Sequence, residues 1–185
     1  MIRKEYDTSR LKLRTIEEKD APQVLEFVQR NERFLQPWEP ERTPDFFTPK
    51  RQRELLRFDQ SSMALDQLFK VWLYKKDEPN RVIGSIALSN IVRGVFQSCH
   101  LGYRLDGAEI NRGYMAEALQ AVVSIAFGEL RLHRIEANIM PHNAASLRLV
   151  EKLGFQPEGM ARKYLKINGK WEDHVHMTLI NEEMD

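Results

Sequence analysis

Between His133 and Phe155 the chain reads HRIEANIMPHNAASLRLVEKLGF, and its periodicity changes within the few residues Met140 to Asn143. HRIEANI, His133 to Ile139, reads as a strand, with Glu136 and Asn138 on one of its faces. Asn143 to Gly154 then reads as a delimited helix: Asn143 is a good N-cap, Leu147, Val150 and Leu153 line one side, and Gly154 suits the residue after the last turn. A strand that hands over to a helix through Pro141-His142-Asn143 demands a sheet with helices packed on it, and leaves open what occupies the junction. An N-cap Asn143 spends its carbonyl oxygen on the helix backbone, so its amide N–H groups remain able to donate across the strand's end. Ser146 falls in the first turn beside it. Local capping by both residues accounts for the pattern equally well.

The rest of the chain supplies that sheet. Arg10 to Ile16 alternates as a half-buried strand, and DAPQVLEFVQRN follows as a helix with Asp20 as N-cap and Pro22 in its first turn. Asn31 to Pro49 is a loop stiffened by Pro37, Pro40, Pro44 and Pro49, yet it carries Phe34, Leu35, Trp38, Phe46 and Phe47. Loops this long and aromatic cover something. Helical spacing returns from Pro49 to about Ala64. Leu68 to Lys76 and Arg81 to Val92 form a hairpin across the turn DEPN, and Val95 to Leu105 adds a strand after Arg93-Gly94. Met115 to Leu130 is a strong helix, and strands around Phe155–Lys163 and His174–Ile180 flank the turn INGKWED. The expectation is one α+β domain over residues 1–185, with its core at about 10–181.

Composition excludes more than it selects. Lys+Arg 28 against Asp+Glu 27, interspersed, argues against nucleic acid or an acidic membrane as the main ligand. A single cysteine, Cys99, allows no intrachain disulfide and no zinc cluster of the usual kind. The charged start MIRKEYDTSR and the lack of a long apolar run point to a cytoplasmic protein without a membrane anchor. His174 and His176 share a strand face as metal ligands would, but no third ligand is in view, and no metal is expected. GxSxG, HExxH, GxxxxGK[ST] and GxGxxG are absent.

LGYRLDGAEINRGYMAEAL, Leu101 to Leu119, joins a strand to the strong helix through a loop of small and polar residues. Free N–H groups at a helix start, with the positive end of its dipole, are suited to a phosphate. Gly113 allows close approach, Asn111 tolerates left-handed geometry, and Arg112 could pair with the phosphate.

These segments together resemble the GNAT acetyltransferase family, and within it the RimJ/RimL branch of protein N-terminal acetyltransferases. FLQPWEP, SNIVRGVFQSCHLGY, HRIEANIMPHN, EKLGF and YLKINGKWEDHV carry the likeness, which spans roughly Leu11 to Ile180. The resemblance implies a central mixed, mostly antiparallel sheet flanked by helices, whose middle strands, Gln97–Leu105 and Arg134–Met140, pair at one end and splay at the other. It implies acetyl-CoA as co-substrate. The pantetheine arm would lie in the gap against the backbone of Tyr103, Arg104 and Leu105, with Asn143 directed at it and Ser146 near the sulfur. The pyrophosphate would sit on Ile110, Asn111, Arg112, Gly113, Tyr114, Met115 and Ala116. That stretch, INRGYM, departs from the family's usual Gln/Arg-x-x-Gly-x-Gly/Ala, with Ile110 at the polar position and Met115 at the last small one.

The implied reaction is direct attack of an amine on the thioester, and the implied partner is the N-terminus of a protein such as a ribosomal one, handled by a monomer or homodimer. An α-amino group of pKa about 7.7–8.0 is already neutral in roughly a tenth to a sixth of molecules at pH 7, so the demand on a base is small. RimL-type relatives place a Glu base where Leu165 falls. Glu39 is then the first candidate for holding or deprotonating the ammonium, followed by His100 and Tyr164, while Ser146 donates to the leaving thiolate. Trp38, Glu39, Asn90 and Arg93 would line the acceptor cleft. Two other readings remain: acetylation of a small amine (an amino acid, polyamine or antibiotic), and a CoA-binding module without turnover.

Overall fold

The computed structural model describes residues 3–184; residues 1–2 and 185, the ends of the span assigned to one domain, lie outside it. Eight strands form one sheet: β1 (Glu5–Asp7), β2 (Leu11–Arg14), β3 (Leu68–Lys75), β4 (Glu78–Val92), β5 (Ser98–Leu105), β6 (Arg134–Ile139), β7 (Gln156–Ile167) and β8 (Lys170–Ile180). They lie in the order β1-β2-β3-β4-β5-β6-β8-β7. Every neighbouring pair is antiparallel except β5–β6. The helices are α1 (Ala21–Arg30), the short α2 (Glu32–Leu35), α3 (Pro49–Ala64), α4 (Tyr114–Gly128) and α5 (Ala144–Lys152). The mixed, mostly antiparallel sheet with flanking helices expected from the sequence is what the chain forms.

Alternation along the strands sorts side chains onto the two faces. On one face Leu13, Val71, Ile86, Leu101, Ile135 and Ala137 pack with Leu119, Val122 and Ala126 of α4 and Val150 of α5. On the other, Trp72, Tyr74 and Val82 meet Val24, Phe27 and Leu56 from α1 and α3. This second layer covers only the β3–β4 side. Beyond it the sheet face turns polar, with Ser89, His100, Glu136 and Thr178 standing on successive strands. Close approach of β4 and β5 is built in at Gly84, where a Cβ would lie 2.5 Å from the Arg104 carbonyl oxygen.

Several local expectations need correction. Asp20 makes no side-chain cap for α1; it closes a 3-10 turn over Glu18–Asp20, and its carboxylate accepts from the Glu17 N–H at 2.8 Å. The β3–β4 turn falls on Lys76-Asp77 rather than DEPN, so Glu78 already pairs with Lys75. β5 starts at Ser98 and not Val95, because Gln97 is left-handed (φ 41°) and its carbonyl accepts from the N–H groups of His133 and Arg134. β1 was not foreseen at all. It is three residues long, and what holds it is the pairing with β2 and the edge-on contact of Tyr6 with Phe69.

Candidate active site

β5 and β6 pair through four residues only, Ser98–Leu101 with Arg134–Ala137. Beyond them β5 pairs with β4 alone as far as Leu105, and Asn138 and Ile139 pair with β8 alone. Two strand edges therefore face each other across a gap with no strand between them. Because the strands are parallel, the connections leaving both run past the same gap, and α4 and α5 both begin beside it. Two positive helix ends thus meet at one place.

The two helix starts differ. α5 is capped by its own chain: Asn143 Oδ1 accepts from Ser146 N–H at 3.2 Å, as the sequence suggested. The Ser146 carbonyl accepts from the Tyr103 hydroxyl at 3.4 Å, so Ser146 is held by its backbone, and neither bond uses its own hydroxyl. Burial pushes Tyr103 up to about 12, which keeps that phenol protonated. α4 has no such cap. Its N-cap is Gly113 in the left-handed region (φ 77°), preceded by left-handed Asn111 (φ 60°), and glycine offers no side chain to the first-turn N–H groups. Met115, the residue that breaks the usual small-residue pattern, points into the core and is buried; Ile110 is exposed.

A buried ionic lattice fixes the loop between β5 and α4. Asp106 accepts from Arg30 at 2.8 Å and Arg81 at 3.1 Å, and Glu109 accepts from Arg81 at 3.0 Å with Lys75 Nζ at 3.4 Å. Burial alone would raise the Asp106 carboxyl, but hydrogen bonds from the Ala108 N–H, Arg30 and Asn31 outweigh it and hold it below its ordinary value. Arg112 pairs with Glu109 at 3.3 Å, and its carbonyl accepts from Arg10 at 2.9 Å.

The segment from Asn31 to Pro49 lies over the same region. Asn31 Oδ1 accepts from Gly107 N–H and the Glu39 carbonyl accepts from Asn168 N–H, both at 2.9 Å, which ties it to the α4 loop and to the β7–β8 turn. Trp38 stacks on His142, ring centroids 5.6 Å apart, at the β6–α5 junction. The Glu39 carboxylate lies between Arg104 (3.3 Å) and Arg42 (3.2 Å). Beneath it a cleft of about 290 Å³ runs over Ala87, Gly102 and Tyr103 to Lys70, which pairs with Asp59 at 2.6 Å.

Other sequence-derived candidates lie farther off. Asn90 Nδ2 meets His100 Nδ1 at 3.1 Å and His100 Nε2 is 3.6 Å from Glu136, so both ring nitrogens face partners. Arg93 is clamped to Asp66 at 2.6 and 2.7 Å and to the Leu130 carbonyl at 2.6 Å, at the end of β5 away from the gap. Tyr164 packs edge-on against His174 and His176 (5.8 and 5.0 Å), and Leu165 is exposed opposite Glu172. Sequence reasoning passed over Arg42, Asp59 and Lys70 and gave His142 no role beyond the junction; strand order and loop path bring them in. Among the described residues no helix is long and apolar enough to cross a membrane.

Comparison with known proteins converges on one family. A family model described as acetyltransferase (GNAT) domain matches residues 10–156. The chain is 38% identical over 168 residues to the [ribosomal protein uS5]-alanine N-acetyltransferase of Escherichia coli K12, covering 91% of this chain and 86% of the relative. The crystal structure of the ribosomal-protein-S5-alanine acetyltransferase from Vibrio fischeri superposes with a TM-score of 0.92 at 34% identity, covering 98% of both chains. Mycobacterium smegmatis RimJ in complex with CoA-disulfide shares the fold, with a TM-score of 0.90 at 22% identity over 97% of this chain and 88% of its own.

Proposed function

Because the chain belongs to the GNAT acetyltransferase family, we propose that it transfers the acetyl group of acetyl-CoA to the N-terminal α-amine of a protein, a ribosomal protein by analogy with its relatives. One observation carries the reading: two parallel strands part after four residue pairs, and two helices begin at the opening. An extended amide chain such as pantetheine satisfies those unpaired edges as an added strand would. The uncapped start of α4 at Ile110–Ala116 is where backbone N–H groups would meet the pyrophosphate, with Arg112 released from Glu109. Tyr103–Leu105, Asn143 and Ser146 would line the pantetheine. CoA, as its disulfide, is bound by the neighbour of known structure.

In this reading the protein positions two reactants and stabilises charge; no covalent acetyl-enzyme is needed. Ser146, in the first turn of α5 at the gap, donates to the departing thiolate, whose conjugate acid has a pKa of about 8.5. Trp38 walls the acceptor side. Glu39, already between two guanidinium groups, supplies a carboxylate able to hold an α-ammonium. Asn90 and Arg93, at the far end of β5, stand where later peptide residues would pass. A protein acceptor is favoured over a small amine by analogy with the relatives, which are named for ribosomal-protein substrates. The test is acetyl-CoA consumption against N-terminal peptides beginning with alanine or serine, lysine-containing peptides and small amines, with mass spectrometry locating the acetyl group. Acetylation on lysine side chains, or turnover on small amines alone, refutes the assignment.

A further inference from the structure

Asn138 is the first residue of β6 past the point where β5 leaves it, and its direct partner on β8 is His176. Both side chains stand on the polar face, the face that carries Glu136, Thr178 and His100. Asn138 Oδ1 and His176 Nε2 are both shut off from solvent, and neither has a hydrogen-bond partner among the described residues. Leaving a buried polar atom unpaired is unfavourable, because its water partners are lost and not replaced. Two at one spot, an acceptor beside a ring nitrogen, form a place lacking a polar group. The Tyr164 ring, 5.0 Å from His176, backs the imidazole against the β7 side and limits its rotation.

We propose that Asn138 and His176 receive the acceptor's amine, with His176 Nε2 as the base that deprotonates it. The inference rests on the acetyl-transfer reading and specifies its proton path. His100 suits the role less well, because one ring nitrogen meets Asn90 and the other faces Glu136. Glu39 attracts the ammonium, but its two carboxylate oxygens are already engaged by Arg42 and Arg104. In the step, the ammonium gives one proton to His176 Nε2, and one of the two N–H groups left is directed at Asn138 Oδ1. The nitrogen lone pair forms the C–N bond, the C–S bond breaks, and its electron pair leaves on sulfur. The second amine proton then reaches that sulfur by way of the Ser146 hydroxyl, giving amide and thiol, and His176 gives up its proton once the product has left the site.

The charged groups around His176 are Glu158 on β7 and, on β6, Glu136 with Arg134, which joins both carboxylates; Tyr164 and His174 are its other titratable neighbours. The two carboxylates are thus largely spoken for by one guanidinium and are not left to pair with the His176 ring.

The experiment compares the full-length protein with His176→Gln and Asn138→Ala on an N-terminal alanine peptide from pH 6 to 9.5. His176→Gln is expected to lower kcat/KM at pH 7 by up to about 6- to 11-fold, the factor set by the tenth to a sixth of α-amine that is already neutral there. The deficit should close toward pH 9.5, where the amine is neutral unaided, and the acetyl-CoA-induced rise in Tm should be unchanged. A peptide hydrazide, neutral at pH 7, should react equally with both proteins. Asn138→Ala should raise KM for the peptide more than it lowers kcat. A His176→Gln deficit that stays constant with pH, or extends fully to the hydrazide, overturns the proposal. So does undiminished activity. If the native protein acetylates only small amines, the N-terminal reading fails, and the same pH comparison on those amines judges His176 separately.

Discussion

Replacing Asn143 by two different residues separates its capping bond from its proposed contact with the cofactor. Its Oδ1 accepts from Ser146 N–H at 3.2 Å, the bond of an N-cap, and its amide N–H groups are what would reach the pantetheine. Asn143→Ala removes both. The cap contributes about 1 kcal/mol, and in a chain of this size each kcal/mol moves Tm by about 2–4 °C. Asn143→Asp keeps an acceptor oxygen, with a charge that suits a helix start, and removes only the donor. Losing one ligand hydrogen bond costs about 0.5–1.5 kcal/mol, or roughly 2- to 12-fold in Kd. The ligand-free Tm should therefore fall by about 2–4 °C in the Ala variant and stay near the native value in Asp. The acetyl-CoA-induced rise should shrink in both, because ligand stabilisation follows RT ln(1 + [L]/Kd). Thermal melts of three proteins with and without acetyl-CoA decide the matter. An Asp variant with native acetyl-CoA stabilisation would leave Asn143 as a cap alone.

Three further outcomes are expected. Ser146→Ala should lower kcat more than it raises KM for acetyl-CoA, since donation to a developing thiolate is strongest in the transition state; steady-state kinetics showing a KM effect without a kcat effect would remove Ser146 from the chemistry. Glu39→Gln should reduce turnover on peptides several-fold while calorimetry shows acetyl-CoA binding unchanged. The Asp106 carboxyl is held below its ordinary value, so its contribution is complete above about pH 4 and is lost as pH falls through the lowered folded-state value. The Tm gap between native protein and Asp106→Asn should be widest at pH 6–7 and narrow on acidification; a gap independent of pH would show that the charge of Asp106 contributes nothing.

Local chemistry was legible in the sequence and long-range placement was not. Asn143 and Gly154 delimit α5 through interactions with residues three or four away, and the left-handed Asn111 and Gly113 announce their turn by residue type. Asp20 misled because a preceding 3-10 turn engages its carboxylate, a competition invisible to an N-cap rule. The opposition of Asn138 and His176 depends on β8 slotting between β6 and β7, so no spacing along the chain predicts it. Glu39 was legible as a charge held between prolines, but its two arginines come from Arg42 nearby and Arg104 on β5. The splay entered by resemblance and not by pattern, since each strand on its own looks continuous.

The four-residue seam between β5 and β6 also makes the sheet mechanically two plates, one of five strands and one of three, joined along a short edge. Few backbone hydrogen bonds join the plates, although the core under α4 and α5 runs beneath both. A molecule that bridges both edges would work as a stitch, adding backbone hydrogen bonds between them. Amide hydrogen exchange would then slow along Gly102–Leu105 and Asn138–Ile139 together when the gap is filled, while the seam at Ser98–Leu101 stays protected throughout.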